Sequence, residues 1–311
     1  MSFPSADLHR RILSIAVLAL VAFAMGCADQ QDTEPENRES WPTIRIGLIP
    51  ERNIFSQKQR YQPIAEYLSE RVHANVELVV LSRYGNIIEN FVSNRLDGAF
   101  FGSFTGALAH RKLHVEAIAR PEYPDGTSTY HGLLLVRKDS GITDIEDMRG
   151  KRFAFVDKAT TAGYLLPLYY FKTHGIDDPE SFLKETYFAG THDGVINDLL
   201  ERKTDIGAAK NTVFAALVAK NPRVSEELTI LTRSPDVPEN ALCVRADLDE
   251  SIKNDLRIEL LSMDQNKIGK QILSEFGAAR FIDTTEADYN AVFEYADTIG
   301  LDLETYDYLN F

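Results

Sequence analysis

The segment Asp157-Lys158-Ala159-Thr160-Thr161-Ala162-Gly163-Tyr164 lies between an apolar run and a helix-forming stretch. Thr160 and Thr161 are natural N-cap residues, and the first-turn amides of a helix have no intrahelical acceptor. Hydroxyl and N–H donors gathered at a helix start, with the helix dipole behind them, suit the capture of an anion. The same threonines can also act simply as caps, and the segment alone leaves both roles open. A second junction, Phe101-Gly102-Ser103-Phe104-Thr105-Gly106, repeats the logic: Ser103 and Thr105 can cap or donate, and the glycines permit close backbone approach. The third is Ala189-Gly190-Thr191-His192-Asp193, where His192 could donate to an oxyanion and titrate near neutral pH, or be structural. Tyr84 and Tyr130 flank strand-like runs and could close over a ligand with phenolic donors, although aromatics there also build cores. A tetrahedral oxyanion needs donors from opposing directions, so two or more such junctions on two lobes carry more weight than one.

The elements that must position these residues alternate between β-rich and helix-like, the pattern of α/β layers with largely parallel sheets. Strands are expected at Thr43 to Ile49, Val76 to Leu81, Gly98 to Phe101 and Val115 to Ala119, with helices at Gln62 to Arg71, Asn86 to Asn94 and Thr105 to Arg111. After the β-like run Tyr130 to Arg137 and the turn-rich Lys138-Asp139-Ser140-Gly141, a second set begins. It comprises strand Arg152 to Val156, helix Gly163 to His174, strand Glu185 to Phe188, helix Gly194 to Arg202 and strand Asp205 to Ala209. Pro167 should kink its helix or sit in the first turn. Strand Leu228 to Thr232 runs into Ser234-Pro235-Asp236-Val237-Pro238, Ala241 to Arg245 returns, and the remainder reads as mostly helical. Two α/β sets joined by two crossings imply two lobes around a cleft, with ligand between them at the strand carboxyl ends. The expected division is residues 43–136 with 237–311 as lobe 1 and 137–236 as lobe 2.

At the amino end, Arg10 and Arg11 precede an apolar run from Ile12 to Met25 that is shorter than the roughly 20 residues a bilayer span requires. A basic region, a short apolar core and small residues describe a secretory signal peptide over residues 1–26. Ala24-Met25-Gly26-Cys27 resembles a bacterial lipobox, which implies acylation of Cys27 and a membrane anchor. Residues 27–42 then form the acylated Cys and a polar, aperiodic tether. Cys243 is the one other cysteine, so an acylated Cys27 leaves no intramolecular disulfide. The net charge of -14 argues against a nucleic-acid partner, which needs a basic face, but not against a small anion held by local donors.

Taken together and in order, these motifs carry a resemblance. Val136-Arg137-Lys138-Asp139-Ser140-Gly141, Asp157 to Tyr164 and Phe188 to Asp193 resemble the phosphonate- and phosphite-binding proteins of ABC importers. The similarity runs from about Ile44 to Leu248 and includes Asn86-Ile87-Ile88 after Tyr84, Asp97 before Gly98, and Ser234-Pro235. It implies a type II periplasmic-binding-protein fold, two α/β lobes joined by two crossover strands around a ligand cleft. The family loop usually reads Ser-Thr-Ser-Gly, and its matching positions here are Thr160, Thr161 and Ala162, with one hydroxyl absent and the backbone donors retained. The family histidine falls on His192 and its pocket tyrosines on Tyr84 and Tyr130. Members that accept an aminoalkyl phosphonate add carboxylates to pair with the amine. One such position falls on Asn240, and the other within Lys210-Asn211-Thr212-Val213. A buried ammonium without a counter-charge costs several kcal/mol. The ligand expected is therefore a small phosphorus oxyanion such as phosphite, methylphosphonate or phosphate. Lys210 could add positive charge there, although a lysine after a strand is more often solvated.

The amino-terminal segment implies an exported, lipid-anchored protein, and with the resemblance the expectation is a monomeric binding protein that serves an ABC permease in the membrane and needs no cofactor or metal. A sensor module for a membrane kinase would use the same cleft closure. For an enzyme, no Gly-x-Ser-x-Gly elbow, Walker loop or Cys-x-x-Cys pair is present. His110 and His114 have i,i+4 spacing, but Arg111 stands where a zinc protease needs Glu.

Overall fold

The computed structural model describes residues 38–309 except 52 and 94. Cys27, the expected signal peptide and most of the expected tether lie outside the described residues. Arg38–Ser40 form one 3-10 turn, and the body begins at Trp41.

From there the chain runs β1 (Thr43–Leu48), α1 (Ile54–Val72), β2 (Asn75–Val80), α2 (Asn86–Val92), β3 (Gly98–Phe101), α3 (Ser103–Leu113) and β4 (Glu116–Glu122). Two strands follow, β5 (Thr129–Tyr130) and β6 (Gly132–Arg137), then β7 (Arg152–Phe155), a π-helical turn Thr161–Leu165 and α4 (Leu166–Thr173). The next elements are α5 (Pro179–Phe182), β8 (Glu185–Phe188), α6 (His192–Leu200), β9 (Ile206–Lys210), α7 (Asn211–Val218), α8 (Pro222–Glu227) and β10 (Leu228–Arg233). The chain then returns through β11 (Val237–Pro238) and β12 (Ala241–Val244) to α9 (Glu250–Leu261), α10 (Lys267–Phe276), β13 (Arg280–Asp283) and α11 (Asn290–Thr298).

The strands build a six-stranded sheet in the order β13-β4-β12-β3-β1-β2 and a five-stranded sheet in the order β10-β6-β9-β7-β8, with β5 and β11 paired as a ribbon where the chain crosses. Each sheet is mixed rather than largely parallel. β1 is parallel to β2 and β3, and β7 to β8 and β9, whereas β12 opposes β3 and β4, and β6 opposes β9 and β10. β6 and β12 are each entered from the crossing ribbon, so there the chain meets each sheet from the opposite end, and β13 is reversed as well, pairing antiparallel with β4 at the edge. β6 belongs to the second sheet, so the boundary expected after residue 136 falls inside a strand.

Burial explains why these runs read as strands. All four residues of β3 and all five of β9 are buried, as expected for strands covered on both faces. One face of the first sheet packs Ile44, Ile46 and Leu48 against Tyr61, Ile64 and Leu68 of α1 and Leu256 and Leu260 of α9. On its other face Ile87, Phe91, Phe101 and Phe104 join a cluster that continues through Tyr130, Leu133, Val156 and Leu165 into the second lobe. The outer face of the second sheet packs Phe153, Phe155 and Phe171.

Two departures from the sequence reading have local causes. α1 begins at Ile54 rather than Gln62 because the Asn53 side chain accepts from the Phe55 N–H, and the helix then runs through Pro63. Arg280–Asp283, expected within a mostly helical segment, pairs antiparallel with β4 at the sheet edge. Pro167 is the second residue of α4, directly after the π turn, and the Gly163 carbonyl four residues before it accepts instead from the Val156 N–H at 3.1 Å.

Candidate functional site

The carboxyl ends of β1, β3, β7, β8 and β9 open onto one crevice, the usual ligand position in α/β sheets. β12 is antiparallel, so its amino end, preceded by Glu239 and Asn240, lies at the same rim. A small cavity of about 10 Å³ remains between the lobes, the room of one water. Tyr84, Thr105 and Asn240 line it from the first lobe, Thr160, Thr161, Ala162 and His192 from the second, and Tyr130 from the crossing ribbon. Ser103, also a candidate, does not line it: its hydroxyl is bonded to the Pro238 carbonyl and lies 3.1 Å from the Tyr130 hydroxyl, tying α3 to the ribbon.

The three helix starts are used differently. Thr160 occupies the N-cap position but makes no side-chain cap; its hydroxyl donates to the Asp157 carbonyl at 2.7 Å. That leaves the amides at the start of the π turn without a hydroxyl acceptor. Thr161 Oγ1 instead accepts from the Phe104 N–H of the opposite lobe at 2.8 Å. Gly163 is required here, since a Cβ would come within 2.4 Å of Val156 and 2.8 Å of Thr160 Oγ1. At α6, Thr191 is the cap, accepting from Gly194 N–H at 3.0 Å. Thr105 Oγ1 donates to the Gly102 carbonyl at 3.0 Å.

His192 is buried, and its Nδ1 accepts from the Lys210 N–H at 3.2 Å, which places the proton of a neutral ring on Nε2. Tyr84 meets it edge-on, with ring centroids 6.2 Å apart. Burial holds the Tyr84 phenol well above its ordinary pKa, so it remains a donor. Its Oη and Asn240 Nδ2 are buried with no hydrogen-bond partner.

Lys210 corrects the sequence reading most. It is not solvated: it is 3% exposed, and its Nζ lies 2.8 Å from Glu51 Oε1, 3.1 Å from Asn240 Oδ1, and against Glu239 Oε1. It also sits 4.1 Å from the centroid of the Tyr130 ring. Burial would raise the Glu51 carboxyl, but the charge and hydrogen bond of Lys210 outweigh it and hold the pKa well below the ordinary value. Burial likewise opposes the lysine charge, and the two carboxylates overcome it, raising its pKa. The expectation that no carboxylate stands near an amine position therefore needs amending, because Glu51 and Glu239 are both at the site. Each was legible by one signal, its place just beyond a strand end or before the return strand.

A larger hollow of about 370 Å³ lies beside Leu166, Pro167, Tyr169 and Tyr170. Of the candidate residues it holds Ala162 alone, and none of its lining side chains has a buried unpartnered polar atom. The smaller cavity, with two such donors, is the chemically equipped one. No group of three or more His, Cys, Asp or Glu residues suited to hold a metal occurs among the described residues.

Residues 46–289 match the family model described as ABC transporter, phosphonate, periplasmic substrate-binding protein. The chain is 25% identical over 314 residues to the phosphate-import protein of Mycolicibacterium smegmatis, covering 94% of this chain and 96% of that protein. It is 24% identical over 262 residues to a probable ABC transporter phosphite binding protein of Prochlorococcus marinus, covering 81% and 88%. Among solved structures, a binding protein component of an ABC phosphonate transporter from Pseudomonas aeruginosa superposes with a TM-score of 0.76 at 24% identity, covering 82% of this chain and 85% of that one. A Prochlorococcus marinus protein in complex with methylphosphonate gives 0.75 at 23%, covering 83% and 98%. These likenesses establish the two-lobed periplasmic-binding-protein fold.

Proposed function

The chain belongs to the phosphonate periplasmic substrate-binding protein family of ABC transporters, and from that premise we propose that it captures a small phosphorus oxyanion carrying an uncharged substituent. Phosphite, methylphosphonate and phosphate are the members of this class. The observation that carries the reading is the pair of buried, unpartnered donors, Tyr84 Oη and Asn240 Nδ2, on the wall of the inter-lobe cavity. A buried donor left without a partner costs about 1–3 kcal/mol, a cost that an oxyanion accepting from both removes. Across the cavity, the uncapped start of the Thr161–Leu165 turn, the Thr161 hydroxyl and His192 supply donors from the second lobe. A tetrahedral anion so held contacts both lobes and stabilises their closure, the form a permease would recognise. It acts as a binder, with no bond of the ligand made or broken. The cavity is smaller than such an anion, so entry requires the lobes to part and rebinding to spread the walls.

In this reading the lobes exchange chain at the β5–β11 ribbon, and the ligand-binding residues are Tyr84, Thr105, Tyr130, Thr160, Thr161, Ala162, His192 and Asn240. Calorimetry against phosphite, methylphosphonate, phosphate, hypophosphite, sulfate and aminoethylphosphonate tests it. Binding of one or more of the first four, with sulfate weaker, is expected; tight sulfate binding with no phosphorus ligand bound would remove it. We further propose export and acylation at Cys27, resting on the short apolar run before Gly26-Cys27. Intact-mass analysis of membrane-extracted protein should show cleavage before Cys27 and added acyl chains, and an unmodified Cys27 would leave the binding function without its anchor.

A further inference from the structure

Among the described residues, Lys210 is the one cation on the wall of the ligand cavity, and its ammonium is enclosed by acceptors. Glu51 comes from beyond β1 and Glu239 from before β12, both in the first lobe, while Lys210 ends β9 in the second. All three are at most 4% exposed at the side chain. The second Glu239 oxygen is already used, accepting from the Tyr123 hydroxyl at 2.8 Å. Asn240 Oδ1 accepts from Lys210, which turns its amide so that Nδ2, the unpartnered donor, is left over. A mobile cation would satisfy the same acceptors, but this one is covalently part of the chain.

We propose that Lys210 is a specificity-determining residue, a tethered ammonium that fills an ammonium subsite built by Glu51, Glu239, Asn240 and the Tyr130 face. The inference rests on the oxyanion reading above and adds what selects among oxyanions. With the lysine in place, a phosphonate bearing an amine on a short arm finds its counter-charges occupied and meets a like charge. Lys210 also sets the amide orientation of Asn240, so it positions a ligand donor without itself being the principal anion contact. Two carboxylates against one ammonium leave this group of three with a net charge of −1. Removing the lysine therefore worsens the site for an anion that has no ammonium and improves it for one that has.

The test is the ratio of affinities for methylphosphonate and aminoethylphosphonate in the parent and in Lys210→Ala, by calorimetry at pH 7. The parent should prefer methylphosphonate. The variant should shift the ratio toward the amino compound by about ten- to a hundredfold, the size of a charged hydrogen bond gained or lost. Adding Glu51→Gln and Glu239→Gln to Lys210→Ala removes the buried charges and should abolish the shift. If Lys210→Ala does not fold alone, aminoethylphosphonate or methylammonium chloride should restore its cooperative melting, and sodium chloride at equal concentration should not. A folded variant with the parent's ratio, or an unfolded one that neither ammonium compound rescues, overturns the proposal. A parent that binds methylphosphonate while the variant keeps its ratio defeats the inference alone. A parent that binds no phosphorus ligand defeats the oxyanion reading.

Discussion

The backbone N–H of Phe104, in the first turn of α3, donates at 2.8 Å to Oγ1 of Thr161, in the first turn of the helix across the cleft. One hydroxyl oxygen thereby joins the two lobes. Thr161→Ala should lower affinity for the bound oxyanion by about ten- to a hundredfold in calorimetry, since a hydrogen bond to a charged group is worth about 1.5–3 kcal/mol. Thr161→Ser should restore most of it. Thr160→Ala removes a hydroxyl committed to the Asp157 carbonyl, so its effect should fall on stability, about 1 kcal/mol, more than on affinity. Equal affinity losses in the two alanine variants would contradict this division.

Tyr84→Phe separates binding from folding by sign. The Tyr84 hydroxyl is buried without a partner, so deleting it should leave the ligand-free protein as stable or up to about 1–2 kcal/mol more stable in urea unfolding. The same change should weaken phosphorus-ligand binding by about tenfold or more. A variant that is less stable and binds unchanged would show that the hydroxyl serves the fold.

Acid should act through Glu51. Its folded pKa is depressed, so its stabilising contribution is present above the ordinary carboxyl value near 4.5 and is lost as pH falls through the lower folded value. The Lys210 pKa is raised, so its contribution is present below 10.5 and is lost only as pH rises through the higher folded value. Between those limits the pair stays charged and its contribution is flat. Glu51→Gln should cost about 1–3 kcal/mol at pH 7, less than losing a whole buried pair because Glu239 still faces the lysine. The gap between parent and variant in urea unfolding should narrow from pH 5 to pH 3. A constant gap over that interval would show that the carboxylate is not the group that titrates.

How much of this was legible in the chain depends on distance along it. β3 and β8 stand at the residues expected of them, β3 as a fully buried apolar run and β8 as a half-buried one, because a short strand writes its pattern into adjacent residues. The junctions at Thr160, His192 and Gly102 were readable for the same reason, since a helix start is a local event. The Lys210 contacts were not, because Glu51 is 159 residues away and Glu239 is 29, and no local pattern encodes their meeting. Ser103 shows the converse: its type suited a ligand, yet its hydroxyl reaches Pro238, 135 residues on. The helix expected from Gln62 starts at Ile54 and runs through Pro63, because a proline inside a long helix removes one bond without ending it when the rest of the face is buried against a sheet.

Cys243 offers a probe of opening that needs no new residue. It lies in β12 between β3 and β4, is fully buried, and its Sγ is 3.7 Å from the Tyr289 hydroxyl. Burial pushes its thiol pKa up to about 12, so both access and ionisation oppose reaction in the folded state. In protein whose Cys27 is acylated, as proposed, or replaced by serine, it is the single thiol of the chain. An aromatic disulfide reagent at pH 8 should therefore label denatured protein at once and folded protein only through structural opening. Ligand that binds the folded form at 100 times its Kd stabilises it by about 2.7 kcal/mol. If the opening that exposes β12 is global, labelling should slow by about a hundredfold. A rate insensitive to ligand would place the opening in local fraying of the first sheet that leaves the cleft intact, and prompt labelling of folded protein would contradict the burial of Cys243.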